Sequence, residues 1–337
     1  MVMRLIALCL GLSSLLWGAG RQLEAYFIDV EGGQATLLIA PSGESMLIDT
    51  GWPGFDSRDA KRIAKAAEHA GVKQIDYLLV THFHVDHAGG VPQLAALLPI
   101  RNFIDHGESV ERDAAGEKLY KSYMAVRARG HHIEAAPGTV LPIRGVRAEI
   151  VTAGGRHIEQ PLPGAGQPNP FCAATKLRDV DPSENAQSVG TVFTFGRFRM
   201  VDLGDLTWNK EYDLMCPKNR LGQADVYVVT HHGMNLSGTP AVVAGLHPRV
   251  AVMDNGATKG GTAEAWDAMH HTAGLQDIWQ LHFAQAGGSQ HNAPETYIAN
   301  LRATPDAGDW IHLTAFEDGS FRVENGRNGF TKTYPAR

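Results

Sequence analysis

The chain has 337 residues, with 30 Lys and Arg against 36 Asp and Glu, a formal net charge of −6. No Lys/Arg-rich run appears, so a polyanion such as nucleic acid finds no general electrostatic attraction and would need a local basic groove. Hydrophobic residues make up 44% of the chain, enough for a globular core, and beyond the N-terminal segment no stretch reaches the roughly 20 apolar residues of a membrane span.

Residues 1–20 carry one charge, at Arg4, then an apolar stretch from Leu5 to Trp17 and the small residues Gly18-Ala19-Gly20. This pattern predicts a secretory signal peptide over 1–20 and a secreted or periplasmic mature protein. Leu8 stands where a lipoprotein anchor at Cys9 would want a small residue. Residues 21–337 then read as a single domain with a loop insert at about 154–184.

The run Met46-Leu47-Ile48-Asp49-Thr50-Gly51 predicts a short strand ending in an acid and a glycine. A helix follows from Arg58 to Ala70, capped by Ser57 and stopped by Gly71, with Ile63, Ala64 and Ala67 toward a sheet. Ile75 to Val80 is an apolar, branched run that suits a buried strand, and Val91 to Leu98 reads as a helix after the tight turn Ala88-Gly89-Gly90.

Between them lies Thr81-His82-Phe83-His84-Val85-Asp86-His87, which offers four metal-binding side chains within six positions. Crowded imidazoles repel one another when protonated, whereas neutral imidazole nitrogen and carboxylate oxygen are good ligands for a borderline cation such as zinc. In extended backbone, side chains two apart share a face. His82 and His84 can therefore hold one ion while the bending chain sends Asp86 and His87 toward a second.

A strand from Ile100 to Asp105 ends beside His106, and Asp113 to Arg129 predicts a helix. The Pro/Gly-rich loop from Gly154 to Glu184 is long enough to serve as a lid over whatever follows at Asn185. The second half then repeats the first. Met200-Val201-Asp202-Leu203-Gly204-Asp205 echoes the earlier acid-and-glycine strand, and Asp225 to Gly233 echoes Asp76 to His82, again ending in Thr-His. Two such halves imply a pseudo-symmetric pair of packed sheets with the metals in the groove between them. The strand Val250 to Met253 leads to Lys259, which could reach that groove. Alternation from Trp310 to Tyr334, about the turn Glu317-Asp318-Gly319-Ser320, predicts a scaffold hairpin. In an oxidising compartment Cys172 and Cys216 read as one disulfide, with free thiols the alternative.

Taken together these motifs resemble the metallo-β-lactamase-fold hydrolases over about residues 25–286. Within that superfamily the chain is most similar to the hydrolase domain of ComEC-type DNA-uptake proteins. The resemblance rests on Phe27-Ile28-Asp29-Val30, Gly33-Gln34-Ala35-Thr36, Glu184-Asn185-Ala186-Gln187-Ser188 and Thr230-His231-His232-Gly233. A Gly-His-Pro segment often found near Lys259 in that branch is missing.

The resemblance implies an α/β fold, a four-layer αββα sandwich. It places His82 and His84 on a first divalent ion, Asp86, His87 and His231 on a second, and Asp205 between the two. Asp49 would orient a ligand imidazole by accepting its free N–H. Asn185, with Ser188 three residues on, stands where many members carry a further His. An amide oxygen suits manganese or magnesium better than zinc, so the first ion is expected to be held more weakly. His106 is the best placed substitute donor, with His157 and His291 behind it.

Two such cations, zinc or else manganese, lower the pKa of shared water to near 7 and so supply a hydroxide for attack on a carbonyl or phosphorus centre. Asp86 would position it, and His232 could protonate the leaving group. The expected function is an exported metal-dependent hydrolase of phosphodiesters. A β-lactamase or lactonase that opens a strained ring is the alternative, and a non-catalytic metal-dependent binding protein is a third reading.

Overall fold

In the computed structural model the described residues are 22–302 and 308–337; the expected signal peptide at 1–20 lies outside them. Largely branched and aromatic runs form β1 (Gln22–Phe27), β2 (Thr36–Ile39), β3 (Ser45–Ile48), β4 (Ile75–Leu79) and β5 (Ile100–Asp105), and the more polar β6 (His131–Glu134) closes the edge. The first three pair antiparallel, whereas β3 through β6 run parallel. Parallel neighbours need crossovers. These contain α1 (Arg58–His69), the single turns α2 (Val85–Ala88) and α3 (Val91–Leu94), and α4 (Ala114–Arg127).

The helix expected over Val91 to Leu98 is thus shorter, because regular structure ends at Leu94 and turns lead on to Pro99 and β5. In α1 the buried stripe includes Ala60, Ile63, Ala66 and Ala67, while Ala64 is only half-buried. Ser57 does precede α1, yet its side chain makes no capping bond. Asp113 caps α4 by accepting from Gly116 N at 2.7 Å.

The second half supplies β7 (Arg147–Ala153), β8 (Arg156–His157), β9 (Gly190–Phe195) and β10 (Phe198–Asp202). It continues with α5 (Trp208–Met215), β11 (Val226–Val228), α6 (Pro240–Leu246) and β12 (Val250–Met253). It closes with α7 (Ala263–His270), β13 (Asp277–His282) and β14 (Ile298–Asn300). Strands β10 to β14 are parallel, as β3 to β6 are. Finally β15 (Ile311–Phe316), β16 (Phe321–Asn325) and β17 (Thr331–Tyr334) return to the first sheet, where β15 pairs with β1.

Among the described residues the strand orders are β17-β16-β15-β1-β2-β3-β4-β5-β6 and β14-β13-β12-β11-β10-β9-β7-β8. A central core that includes Phe27, Met46, Leu79, Phe193, Phe198, Met200 and Trp279 is shared by the two sheets. Fully burying one such side chain stabilises by roughly 1.5–3 kcal/mol. Outer apolar layers pack α1, α3 and α4 on the first sheet and α5 to α7 on the second. The architecture is therefore the four-layer αββα sandwich of the metallo-β-lactamase type.

The segment from Gly154 to Glu184, expected as a loop, opens with the short β8 and is tied down at several points. Cys172 is bonded to Cys216, Asn169 Nδ2 donates to the carbonyls of Met215 and Ala241, and the Arg178 guanidinium lies 3.5 Å from the Trp208 ring centroid. Among the described residues no helix is long and apolar enough to cross a membrane.

Candidate metal centre

Strand β4 delivers Thr81 to His84 in the groove between the sheets, and the turn of α2 delivers Asp86 and His87. Their neighbours come from the ends of β10 and β11, as the repeat predicts. His82 Nε2 and His84 Nδ1 lie 3.0 Å apart, two donors aimed at one point. Asp205 Oδ2 lies 3.3 Å from both His87 Nε2 and His231 Nε2, and 3.9 Å from His82 Nε2. Its other oxygen lies 3.4 Å from His232 Nε2. Asp86 Oδ2 is 3.4 Å from both His87 Nε2 and His232 Nε2. Ligand atoms of Asp86, His87, Asp205 and His232 all fall within 4.8 Å of one another.

The structure thus groups His232, not His231, with Asp86 and His87. The reason is the backbone: His231 and His232 both hold left-handed conformations, with φ of 58° and 56°, which is unusual for consecutive non-glycine residues. Bonds from His231 N to Gly204 O and from Gly261 N to His232 O hold this kink. It turns the second imidazole into the cluster and sends the first to the Asp205 Oδ2 side. There His231 Nε2 faces the same Asp205 oxygen as His82 Nε2 and His87 Nε2. His232, expected to move a proton, instead sits among the ligand atoms.

Asp49 Oδ2 accepts from His87 Nδ1 at 2.7 Å and from Thr81 Oγ1 at 2.6 Å, while Oδ1 accepts from Thr81 N. That fixes the His87 tautomer and leaves Nε2 for the groove. Gln34, quoted above only as part of a motif, donates from Nε2 to Asp202 Oδ2 at 2.6 Å and from its backbone N to Asp86 O. It links the two halves behind the ligands. Burial raises the Asp202 pKa to about 7.

Asn185 and Ser188 are buried, and Asn185 Oδ1 and Ser188 Oγ have no hydrogen-bond partner among the described residues. Their neighbour Glu184 accepts from Phe83 N, Ser109 Oγ and Val110 N, and from His106 Nε2 at 2.9 Å. His106 is therefore committed to Glu184 and lies outside the four-residue group. His157 and His291 bond to the carbonyls of Ile158 and Gly287 and also lie outside it. Lys259 reaches the groove, its ammonium against the Asp86 carboxylate and 5.2 Å from the Trp52 ring centroid.

A second buried group sits behind the Asp29–Glu31 turn, which carried no signal for it in the sequence. Asp29 contacts His282 Nε2 at 2.8 Å and Arg62 Nη1 at 2.7 Å. The guanidinium supplies positive charge there, so the cluster reads as a support for the turn that packs on Gly256 and Lys259.

The donor chemistry of the main cluster fits divalent cations. Asp205 Oδ1 has no hydrogen-bond partner among the described residues. Despite burial, His232, His87 and His231 hold the Asp205 carboxyl well below the usual carboxylate range. Burial works against a charged His87 and His232 as well. Neighbouring carboxylates, Asp205 first, nevertheless raise His87 well above the ordinary imidazole range and His232 to about 10. Without metal, protons occupy positions that a cation would take, so metal uptake would release them.

A family model for the metallo-beta-lactamase superfamily matches residues 29–172, a segment that carries the His82 to His87 loop. The lactamase-like protein aptB of Emericella nidulans is 33% identical over 108 residues, 29% of this chain and 33% of the relative. The chain thus matches about a third of that relative's length. Similar solved structures include the metallo-beta-lactamase fold protein YhfI from Bacillus subtilis, 12% identical, covering 77% of this chain and 96% of that one, with a TM-score of 0.45. MEM-A1, a subclass B3 metallo-beta-lactamase from a soil metagenome library, is 15% identical over 63% of this chain and 77% of its own, at 0.38. A diphosphatase of the PhnP family is 12% identical over 70% and 87%, also at 0.38.

Proposed function

We propose, from a superfamily match that spans the ligand loop and a groove whose donors face it from both sheets, that the protein is an exported dinuclear metal-dependent hydrolase of phosphodiesters. The observation that carries this reading is the placement of Asp205, with imidazoles at both carboxylate oxygens. His82, His84 and His231 would serve a first ion and Asp86, His87 and His232 a second, with Asp205 shared. Bound there, divalent ions would bring the pKa of water from near 16 toward about 7 and offset the negative charge that builds on the attacked group.

The chain's own residues have separate tasks. Asp49 holds the His87 ring in one orientation. Lys259 brings a cation to the groove, where its ammonium can meet a negatively charged substrate oxygen once released from Asp86. Asn185 and Ser188, whose buried side-chain oxygens have no hydrogen-bond partner among the described residues, would add oxygen donors to the first ion, a set that suits the harder manganese. The Cys172–Cys216 bond supports export, because disulfides persist mainly in oxidising compartments.

Metal analysis of the purified protein, followed by parallel assays with a chromogenic phosphodiester, a cephalosporin and an acyl-homoserine lactone in zinc and in manganese, tests the reading. The expected result is two ions per chain and highest turnover of the phosphodiester, increased by manganese. Preference for the cephalosporin or lactone in zinc would replace the substrate class with a strained ring. No turnover with metals bound would favour a binding protein.

A further inference from the structure

Beside the metal centre lies a pocket of about 370 Å³ between the ligand loop and α4. Phe83, His84 and Val85 line one side, and Glu111, Asp113 and Leu119 the other. His84 belongs to both spaces. Its Nδ1 faces His82, whereas its Nε2 lies 3.5 Å from Glu111 Oε1. A group seated in the pocket therefore begins one imidazole ring away from the first-site donors.

We propose that this pocket takes an alkylammonium substituent of the substrate, an inference that rests on the phosphodiester reading and narrows it. Val85 is 40% exposed although it sits between two ligand residues, and with Leu119 it offers apolar wall to methyl and methylene groups. Phe83 is buried behind them. The charged lining is acidic: Glu111 and Asp113 face this space and, among the described residues, no Lys or Arg lines it. Asp113 spends one oxygen on capping α4 but keeps its charge.

Apolar walls with carboxylates at the rim suit a quaternary ammonium on a short alkyl chain, which is weakly hydrated and cationic. The same carboxylates repel a phosphate. A nucleic-acid strand, which would place further phosphates beside the scissile one, is disfavoured on this side of the centre.

Two measurements on the metal-loaded full chain test the proposal. In the first, butyltrimethylammonium is titrated calorimetrically into the protein and into Leu119→Trp, which fills the pocket, and Asp113→Asn, which removes charge while keeping a good helix cap. Binding should weaken by about tenfold in each variant. In the second, two 4-nitrophenyl phosphodiesters are compared, one bearing a 2-(trimethylammonio)ethyl group and the other its neutral 3,3-dimethylbutyl isostere. The kcat/KM ratio should favour the cation by about tenfold and fall toward unity in Asp113→Asn. Turnover of both esters at equal rates overturns the pocket assignment and leaves the phosphodiester reading standing. Butyltrimethylammonium binding that is lost in the variants, with neither ester turned over, keeps the pocket and overturns the phosphodiester reading. Binding that is unchanged in both variants also overturns the pocket assignment.

Discussion

Single side chains set the behaviour of the centre through buried contacts. Asp49 touches no substrate, yet its 2.7 Å bond to His87 Nδ1 decides which ring nitrogen faces the groove. Asp49→Asn should weaken metal binding by about 10–100-fold with little change in far-UV circular dichroism. Asp205→Ala should abolish hydrolysis and metal retention together, because it removes the carboxylate both sides share; metal content after desalting and a turnover assay check both. Asp202 gives a pH signature. Burial raises its pKa to about 7, so the folded chain binds a proton more tightly than the unfolded one does. Its stabilisation is complete below the ordinary carboxylate pKa and is lost as pH rises through about 7. In Asp202→Asn the Gln34 amide can turn to keep a bond, and thermal unfolding from pH 5 to 8 should show a shallower downward slope, with the part due to Glu211, whose pKa burial also raises to about 7, remaining.

At the scale of elements, the loop from Gly154 to Glu184 shows what fastens an irregular segment. Its disulfide joins positions 44 residues apart, and closing a loop of that length in the unfolded chain contributes about 4 kcal/mol by loop-closure entropy. Cys172→Ser should therefore lower the melting temperature, with kcat on the metal-loaded protein little changed, because neither cysteine lies among the ligand atoms. Scanning calorimetry with and without reductant checks the first part and an assay below the transition the second. Helices α1 and α4 were legible because each has an apolar stripe and a terminal signal, although the stripe of α1 includes Ala66 where Ala64 was expected. The shortened α3 was not, since four residues carry too little periodicity to mark an end.

Across the whole molecule, the duplicated plan places acids and histidines at matching strand ends. Asp49 N bonds to Leu79 O in one half, and His231 N to Gly204 O in the other. Packing the two sheets through Phe27, Phe193, Phe198 and Trp279 brings those ends face to face. Export belongs to this scale too. If 1–20 is a signal peptide, intact-mass measurement on secreted material should place the N-terminus at or near Arg21, and a cytosolic protein retaining Met1 would sink the proposed location.

The sequence by itself determined the His-rich loop and the acids at strand ends, because each of these is written in neighbouring residues, while the sandwich class came from the resemblance that these motifs carry. Spacing of two on an extended chain brings His82 and His84 together whatever the rest of the molecule does. Only the tertiary structure placed His232, and not His231, among the atoms of Asp86 and His87, since adjacent residues look alike in a motif and a left-handed kink held by Gly204 and Gly261 separates them. It also gave His106 to Glu184, 78 positions away, and brought Lys259 to Asp86 across 173. No local pattern encodes such partners. They are fixed by sheet packing that brings distant strand ends within hydrogen-bond reach, where desolvation leaves buried polar groups dependent on whichever partner the fold supplies.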